Sequence, residues 1–338
     1  MAKPLVLIIS PALAKANNGN WQTAARWSRF LRDGYTVVCA ASDTKLGATL
    51  QPDVLIALHA RRSADVLLEF KQRCPSILVL TGTDLYRDIR TDPVAQHSLV
   101  IATRLVVLQA AGMDELPVPL LEKTCVIHQS ARTLKAIKRY RAALKVIMIG
   151  HLRAEKDPAT FLRACKQLEH DDIDFLHVGG ALDTQLEDLA KSTANRQPRY
   201  HWIGNQPHAA TRQRLKNSDL MVISSIMEGG ANVIIEAITS GVAVVASDIS
   251  GNRGLLGDDY AGYFPVGDAT ALAAMIRRCA SEPLFLARLQ AQCALRRPLF
   301  APERERADVR QLVDNCLHIH DQAPRCPLTP TPATQGFP

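Results

Sequence analysis

Aromatic residues make up only 5% of the 338-residue chain. Proteins that bind nucleic acids stack bases on aromatic side chains near basic ones, and this chain carries no nucleic-acid-binding motif. Its formal net charge is +7, and six cations cluster between its halves. The interpretation we favour for this cluster is a solvated linker helix that attracts anionic substrates modestly. We therefore expect no nucleic-acid partner.

The sequence also lacks an apolar run long enough to span a membrane, so we expect no stable membrane insertion. Residues 1–14 mimic a secretory signal, with Lys3, an apolar stretch and an Ala-Leu-Ala end. The apolar stretch, 5–9, is shorter than such signals use and is bracketed by prolines. We therefore interpret it as a first buried strand and expect a cytoplasmic protein.

The eight cysteines form no C-x-x-C pair, and none has a histidine at zinc-binding spacing. Scattered thiols of this kind are typical of a reducing cytoplasm, and we predict no catalytic cysteine. Residues 172–174 have the D-x-D form of a divalent-metal motif, but they precede a strand and lie away from the predicted binding edge. We therefore predict no metal and no cofactor.

Strand-like apolar runs alternate with helical patterns along residues 1–142, and the alternation restarts at 143. This alternation is typical of parallel sheets flanked by helices. The sequence thus predicts an α/β protein with two doubly wound Rossmann-like domains that face an interdomain cleft. The predicted strands are 5–9, 37–40, 54–58, 77–80, 105–108, 125–127, 145–149, 175–178, 201–203, 220–223 and 242–246.

The predicted boundaries give an acceptor domain at 1–142 and a sugar-nucleotide domain at 143–300. A helical pattern covers 268–297, where Pro298 interrupts it. Residues 301–322 read as a final helix. Residues 323–338 are rich in proline and threonine, so we expect a disordered tail.

The segment 220–251 is the most informative part of the chain. An apolar strand runs into a polar turn with Glu228, and Glu236 lies about one turn inside the helix that follows. Unpaired N–H groups at a helix start favour a diphosphate, and ionised carboxylates accept hydrogen bonds from sugar hydroxyls. This pattern predicts a sugar-nucleotide site, and the alternative is an ordinary loop with two solvated glutamates.

A second loop, after the strand at 145–149, carries Arg153 and Lys156. A nucleoside diphosphate gains negative charge as it leaves, and without a metal the protein must neutralise that charge with cations and helix N-termini. Taken alone, the two cations would be surface charges before a helix. Together with the glutamate segment, they favour a diphosphate site.

In the predicted first domain, unusual polar residues follow the carboxyl ends of strands, where ligands bind in open α/β sheets. His59 is suited to donate or accept a proton, although a lone histidine is more often a packed side chain. Either of two adjacent arginines could bind a phosphate group. Asn20 and Asp84 have alternative roles as helix caps. The candidate acceptor residues are Asn18, Asn20, Arg61, Arg62, Thr83 and Asp84.

Two segments carry a family resemblance. GHLRAEKDP resembles the G-R-x-x-x-K segment of retaining GT-B glycosyltransferases, family 4 in particular, and EGGANVIIEA resembles their E-x7-E element. The resemblance implies that Arg153 and Lys156 contact the diphosphate and that Glu236 contacts the ribose. It also places His59 and Glu228 at the donor sugar, beside the backbone of the helix start. The implied catalytic residues are His59, Arg153, Lys156 and Glu228. The implied donor set is completed by Gly19, Asn20, Gly229, Gly230, Ala231 and Asn232.

The amino-terminal half is similar to one subfamily, through NNGNWQTA, ALHARRSA and TGTDLYRDI. These segments resemble the selenosugar synthases of selenoneine biosynthesis, which join selenophosphate to the sugar of UDP-N-acetylglucosamine. Family 4 members usually have Gly-Gly where this chain has Gly19-Asn20, and many have histidine in place of Thr81. The resemblance implies a selenosugar synthase with UDP-N-acetylglucosamine and selenophosphate as substrates. The alternatives are a family 4 transferase with a hydroxyl acceptor and a sugar-nucleotide-binding protein without turnover.

Overall fold

A computed structural model describes residues 2–11, 19–44, 50–135 and 143–322. These residues form two six-stranded sheets in which every strand pair is parallel. Asn18 and the tail predicted to be disordered lie outside the described residues. No helix in the described ranges has the length and apolar character needed to cross a bilayer.

The first domain has the strand order β2-β1-β3-β4-β5-β6. Its central strands are continuous apolar runs because helices cover both faces of a parallel sheet. The order reverses between β1 and β3, which makes their carboxyl ends the expected ligand site. Its elements are β1 (Leu5–Ser10), α1 (Gly19–Leu31), β2 (Thr36–Ala41), β3 (Val54–Leu58), α2 (Ala64–Phe70), β4 (Ser76–Leu80), α3 (Ile89–Thr91), α4 (Pro93–Ile101), β5 (Arg104–Val107) and β6 (Thr124–Val126).

The second domain repeats this plan with the strand order β12-β11-β10-β7-β8-β9. Here the order reverses between β7 and β10, so the two loops that follow them lie side by side. Its elements are β7 (Leu144–Ile149), α5 (Pro158–Gln167), β8 (Ile173–Val178), α6 (Thr184–Arg196), β9 (Tyr200–Trp202), α7 (His208–Lys216), β10 (Leu220–Ile223), α8 (Asn232–Thr239), β11 (Ala243–Ser247), α9 (Ser250–Leu256), β12 (Tyr263–Phe264), α10 (Ala269–Ser281) and α11 (Pro283–Arg296).

The structure confirms the predicted α/β class and its two doubly wound sheets, and each predicted strand overlaps an observed one. Sequence periodicity missed β12, which has only two residues. It also treated 268–297 as one pattern, whereas α10 ends at Ser281 and α11 begins at Pro283. Proline has no N–H to donate and disfavours helical geometry in the residue before it, so the chain breaks there.

The final helix, α12 (Pro302–Gln322), packs against the first domain. Its apolar residues Val309, Val313 and Cys316 join the core cluster that contains Trp27 of α1. Glu305 is 1% exposed. Its carboxylate accepts hydrogen bonds from Arg26 Nε at 2.7 Å, from Trp27 Nε1 at 2.8 Å and from the hydroxyl of Ser130. One buried carboxylate therefore ties α12 to α1 and to the segment that leaves the first domain.

Replacing Glu305 with alanine should lower the free energy of unfolding by about 3 kcal/mol, because it leaves a buried guanidinium and other donors without an acceptor. Chemical denaturation measures this change. Glu303→Ala is the matched control, since Glu303 lies on the same helix and is exposed. The control should stay within about 0.5 kcal/mol of wild type. Equal effects of the two substitutions would contradict the anchoring role of Glu305.

Candidate functional site

A cleft of about 800 Å³ lies between the two domains, where the carboxyl ends of both sheets converge. Its first-domain wall comes from the start of α1 and from the segments that follow β3, β4, β5 and β6, and its second-domain wall comes from loops that follow β7, β8, β9 and β10. This volume lies in the range of pockets that enclose small-molecule ligands. The two strand-order reversals therefore open onto one shared space.

Two glycines allow the domains to approach each other at the floor of this cleft. A Cβ on Gly229 would lie 2.4 Å from the carbonyl oxygen of Thr81, and one on Gly230 would lie 2.7 Å from Cβ of Leu108. Any side chain at these positions would force the domains apart. The glycine pair thus meets a packing requirement besides leaving the start of α8 open to a ligand.

Arg153 provides a cation without a matching anion. It lies in the loop after β7 and lines the cleft, and its Nε is buried without a hydrogen-bond partner. No carboxylate of the described residues lies within 4 Å of its guanidinium. Nearby, burial lowers the pKa of His151, and the charges of Arg153 and Lys156 lower it further. This part of the cleft is therefore electropositive and suited to an anion.

Lys156 and Glu228 form an ion pair across the loops after β7 and β10. The hydroxyl of Ser225 donates to the same carboxylate oxygen at 2.6 Å. Ser224 Oγ donates to the carbonyls of Lys156 and Asp157, at 3.1 and 2.8 Å, which holds the two loops together. Both charged side chains line the cleft, so a ligand diphosphate could share the lysine with the glutamate.

Glu236 lies in the second turn of α8 and is 7% exposed. Its Oε1 lies 2.6 Å from Nε2 of His208, the first residue of α7. Both residues line the cleft. The carboxylate is therefore held in one orientation, with further lone pairs available to accept from hydroxyl groups.

His59 is 3% exposed and has a φ of 75°, a backbone conformation that L-residues rarely adopt. Its Nδ1 accepts from the backbone N–H of Arg62 at 3.4 Å, so Nε2 carries the proton. That Nε2 lies 3.1 Å from Thr83 Oγ1 and 3.9 Å from Asp88 Oδ2. With its oxygen accepting from His59, the Thr83 hydroxyl keeps its own proton to donate into the cleft.

Two candidate acceptor residues require correction. Arg61 is exposed and forms an ion pair with Asp92 at 2.7 Å, whereas its neighbour Arg62 lines the cleft. Asp84 is fully buried, and its oxygens accept from the backbone N–H groups of Ala60, Thr81 and Gly82 at 2.9 Å each. These bonds shape the loop after β4 and leave Asp84 away from the cleft. It also caps no helix, because it is the first residue of a short π-helical turn.

The other predicted site residues line the cleft. From the first domain these are Gly19, Asn20, His59, Arg62 and Thr83, and from the second Arg153, Lys156, Glu228, Gly229, Gly230, Ala231, Asn232 and Glu236. Sequence reasoning missed several more lining residues. These include Arg87, Gln129, His151, Glu155, Asn205, Gln206 and His208.

The sequence does contain a pattern that indicates some of these additional lining residues. Gly179-Gly180 directly follows β8, and Gly204-Asn205 follows the predicted strand at 201–203. The rule that ligands bind beyond the carboxyl ends of parallel strands applies to these loops too. Arg87 stands in the TGTDLYRDI segment without any such signal, because it lies in the short helical turn beyond the loop.

The D-x-D residues and the cysteines, for which the sequence predicts no role in the site, lie outside the cleft in the described structure. Asp172 and Asp174 of the D-x-D both pair with Arg199, at the amino end of β8. No described cysteine lines the cleft, and burial raises the pKa of Cys74 to about 12 and that of Cys293 to about 11. Within the described ranges, no group of three or more metal-ligating side chains converges.

Two Rossmann-like domains, with the carboxyl ends of both sheets facing one electropositive cleft, form a GT-B fold. The solved structures agree with this class. A sucrose-phosphate synthase from Thermosynechococcus elongatus matches 94% of this chain and 100% of its own, with a TM-score of 0.77 and 16% identity. HepE from Anabaena, solved with UDP and glucose, matches 92% of this chain and 100% of its own, with a TM-score of 0.74 and 15% identity.

Residues 132–294 match the family model of glycosyl transferases group 1. The chain is also 30% identical over 124 residues to the UDP-Gal:alpha-D-GlcNAc-diphosphoundecaprenol alpha-1,3-galactosyltransferase of Escherichia coli, which covers 34% of this chain. Matches to curated relatives of this kind span about a third of the relatives' length. The match to this family thus falls almost entirely in the second domain.

The loop that carries Arg153 rests on a buried histidine, which makes stability depend on pH. His177 contacts the carbonyl of Gly150 at 3.2 Å and the hydroxyl of Tyr200 at 3.0 Å. Burial lowers its pKa to about 4. Since the unfolded chain protonates this group near pH 6.5, the free energy of unfolding should fall as pH drops from 6.5 to 4.

His177→Gln should reduce this slope by up to about 1.4 kcal/mol per pH unit, measured by denaturation across the range. Part of the slope should remain, because burial also lowers the pKa of His128 to about 4. His201→Gln on the neighbouring strand is an exposed control and should keep the wild-type slope. An unchanged slope in His177→Gln would contradict this assignment.

Proposed function

We propose that the protein is a nucleotide-sugar-dependent glycosyltransferase, and specifically a selenosugar synthase that acts on UDP-N-acetylglucosamine and selenophosphate. The observation that carries the transferase proposal is the uncompensated guanidinium of Arg153 beside Lys156, at the point where both sheets open onto the cleft. An unpaired cation facing a cavity of this size favours a diphosphate ligand. The proposal of selenophosphate and UDP-N-acetylglucosamine as substrates rests on the resemblance of the first domain to selenosugar synthases.

The second-domain wall fits a UDP-sugar. Arg153 and Lys156 would hold the diphosphate together with the N–H groups at the start of α8. Glu236, held by His208, would accept from the ribose hydroxyls, and Glu228 would accept from the sugar. A bound UDP in HepE and a UDP-Gal donor in the E. coli relative support the choice of a uridine nucleotide.

The first-domain wall fits a small anion. Arg62 lines the cleft, and the Thr83 hydroxyl has a proton to donate there. A guanidinium and a hydroxyl donor suit the tetrahedral oxygens of selenophosphate. His59 is buried and has an unfavourable backbone conformation. It orients the side chain of Thr83 through its Nε2 and the backbone of Arg62 through its Nδ1.

In the proposed reaction, the selenium of selenophosphate forms a bond to the anomeric carbon, while the bond from that carbon to UDP breaks. The electron pair of the broken bond stays on the β-phosphate oxygen, beside Arg153 and Lys156. Water then cleaves the selenium–phosphorus bond, so phosphate leaves and a selenosugar remains. Preorganised cations stabilise the charge that develops on the leaving group.

A hydroxyl acceptor is the second candidate, because the E. coli relative is named for transfer to a GlcNAc-diphosphoundecaprenol. That activity would need a surface for a long polyprenyl chain. The polar acceptor wall around Arg62 and Thr83 favours a small anion instead.

Incubation of the purified protein with UDP-N-acetylglucosamine and selenophosphate should give a selenium-bearing sugar, detected by mass spectrometry. GlcNAc-diphosphoundecaprenol in place of selenophosphate should give no product. Formation of a product only with the lipid acceptor would replace the selenosugar proposal with the second candidate. Absence of any product and of UDP binding would overturn the transferase proposal itself.

Arg153→Ala combined with Lys156→Ala should lower kcat/KM by at least about 100-fold, because two donors to the leaving diphosphate are lost. Arg163→Ala with Lys166→Ala is the matched control. These residues have the same spacing on α5 and are exposed outside the cleft. The control should keep kcat/KM within about twofold. Equal activity of both double variants and wild type would contradict the donor site.

Arg62→Ala should raise the KM for selenophosphate by about tenfold and leave the KM for the UDP-sugar nearly unchanged. Steady-state kinetics with each substrate varied separately make the comparison. Arg61→Ala is the control, since its guanidinium binds Asp92 outside the cleft. If Arg61→Ala had the larger effect on selenophosphate, the acceptor assignment would be wrong.

A further inference from the structure

A second cavity, of about 980 Å³, adjoins the cleft on the side of α1 and α7. Only Gln22, His208 and Glu236 line both spaces. The remaining walls come mainly from one face of α1, from α7, from residues 130–134 and from the start of α12. The cavity thus lies beside the chain segment that joins the domains, and nothing in the donor or acceptor assignment uses it.

The walls of this cavity carry a large excess of positive charge. Only one carboxylate, that of Glu236, is among its lining residues, and it is already paired with His208. No arginine of this cavity lines the cleft, so its charges are separate from the proposed diphosphate site. The six arginines that line it are Arg26, Arg29, Arg32, Arg132, Arg212 and Arg306.

Arg212 forms part of this lining and is the most informative of the six. It is 8% exposed, and its Nη2 donates to the carbonyl of Arg132 at 2.8 Å and to Ser240 Oγ at 3.2 Å. Its Nε is buried without a partner, and no described carboxylate lies within 4 Å of it. Burial lowers its pKa despite the nearby charge of Glu236. A buried cation with no counter-charge is unfavourable unless an anion completes the site.

Two other arginines that line the cavity have such a counter-charge. Arg26 binds Glu305 at 2.7 Å, with the carboxylate fully buried. Arg306, on the rim of the cavity, binds Asp33 at 2.6 Å. Arg29, Arg32 and Arg132 are exposed and have no carboxylate partner among the described residues. The unmatched charge therefore lies on these three arginines and on Arg212.

We propose that this cavity binds a phosphate-bearing small molecule, held by Arg29, Arg132 and the charge of Arg212. Guanidinium groups match the geometry of phosphate oxygens and give paired hydrogen bonds. The volume exceeds what one phosphate fills and suits a phosphorylated metabolite or a nucleotide. Because Glu236 and His208 form the wall shared with the cleft, occupancy of the cavity changes donor affinity.

The test titrates pyrophosphate into the Arg153→Ala plus Lys156→Ala protein, which lacks the two cations of the second-domain wall of the cleft. Pyrophosphate should still bind to this protein. Adding Arg29→Gln and Arg132→Gln should weaken binding at least tenfold, measured by calorimetry. The matched control adds Arg196→Gln and Arg288→Gln, two exposed arginines that line neither cavity, and should change affinity less than twofold. No binding, or equal weakening by both pairs, overturns the proposal.

Two further measurements identify the ligand class and its position. Crystals soaked in tungstate should show the anion in the cavity beside Arg212, and density confined to the cleft contradicts the proposal. Vesicles containing phosphatidylglycerol should not compete with pyrophosphate. Competition by vesicles would assign the arginines to a membrane surface and overturn the proposal of a small-molecule site.

Discussion

The polarity of two parallel sheets is the constraint on which the rest of this structure depends. Each sheet directs the carboxyl ends of its strands toward the same cleft, and each has its strand-order reversal there. Loops that are distant in sequence, such as those with His59, Arg153 and Glu228, therefore meet in one space. Gly229 and Gly230 allow the two domains to approach each other closely, because side chains at these positions would collide with the first domain.

Positive charge without a carboxylate partner occurs in both candidate binding regions. Arg26 and Arg199 of the scaffold, by contrast, pair with Glu305 and with two aspartates. Arg153 in the cleft and Arg212 in the second cavity lack such partners among the described residues. A buried charge without compensation costs stability, and an anionic ligand would offset that cost. This argument connects the diphosphate proposal with the proposed second phosphate site.

The fold could be predicted from the sequence, because buried parallel strands are continuous apolar runs. The polar residues that directly follow these strands indicate the edge of the sheet where a ligand binds. The sequence could not predict which way individual side chains point, and this decides which residues reach the cleft. Adjacent arginines at 61 and 62 look alike in sequence, yet only the second faces the cleft. Asp84 was a candidate to bind the acceptor, but its carboxylate accepts hydrogen bonds from three backbone N–H groups instead. The arginines of the second cavity come from the region of α1, from α7, from the start of α12 and from the segment between the domains, so no local sequence pattern connects them.

The central claim is that the cationic cleft activates a UDP-sugar for attack by a small anionic acceptor. UDP release, measured with and without selenophosphate across several UDP-sugars, tests it most directly. We predict that release from UDP-N-acetylglucosamine is slow alone and accelerates strongly when selenophosphate is added. A rate of release that is the same with and without selenophosphate, for every UDP-sugar, would contradict the account.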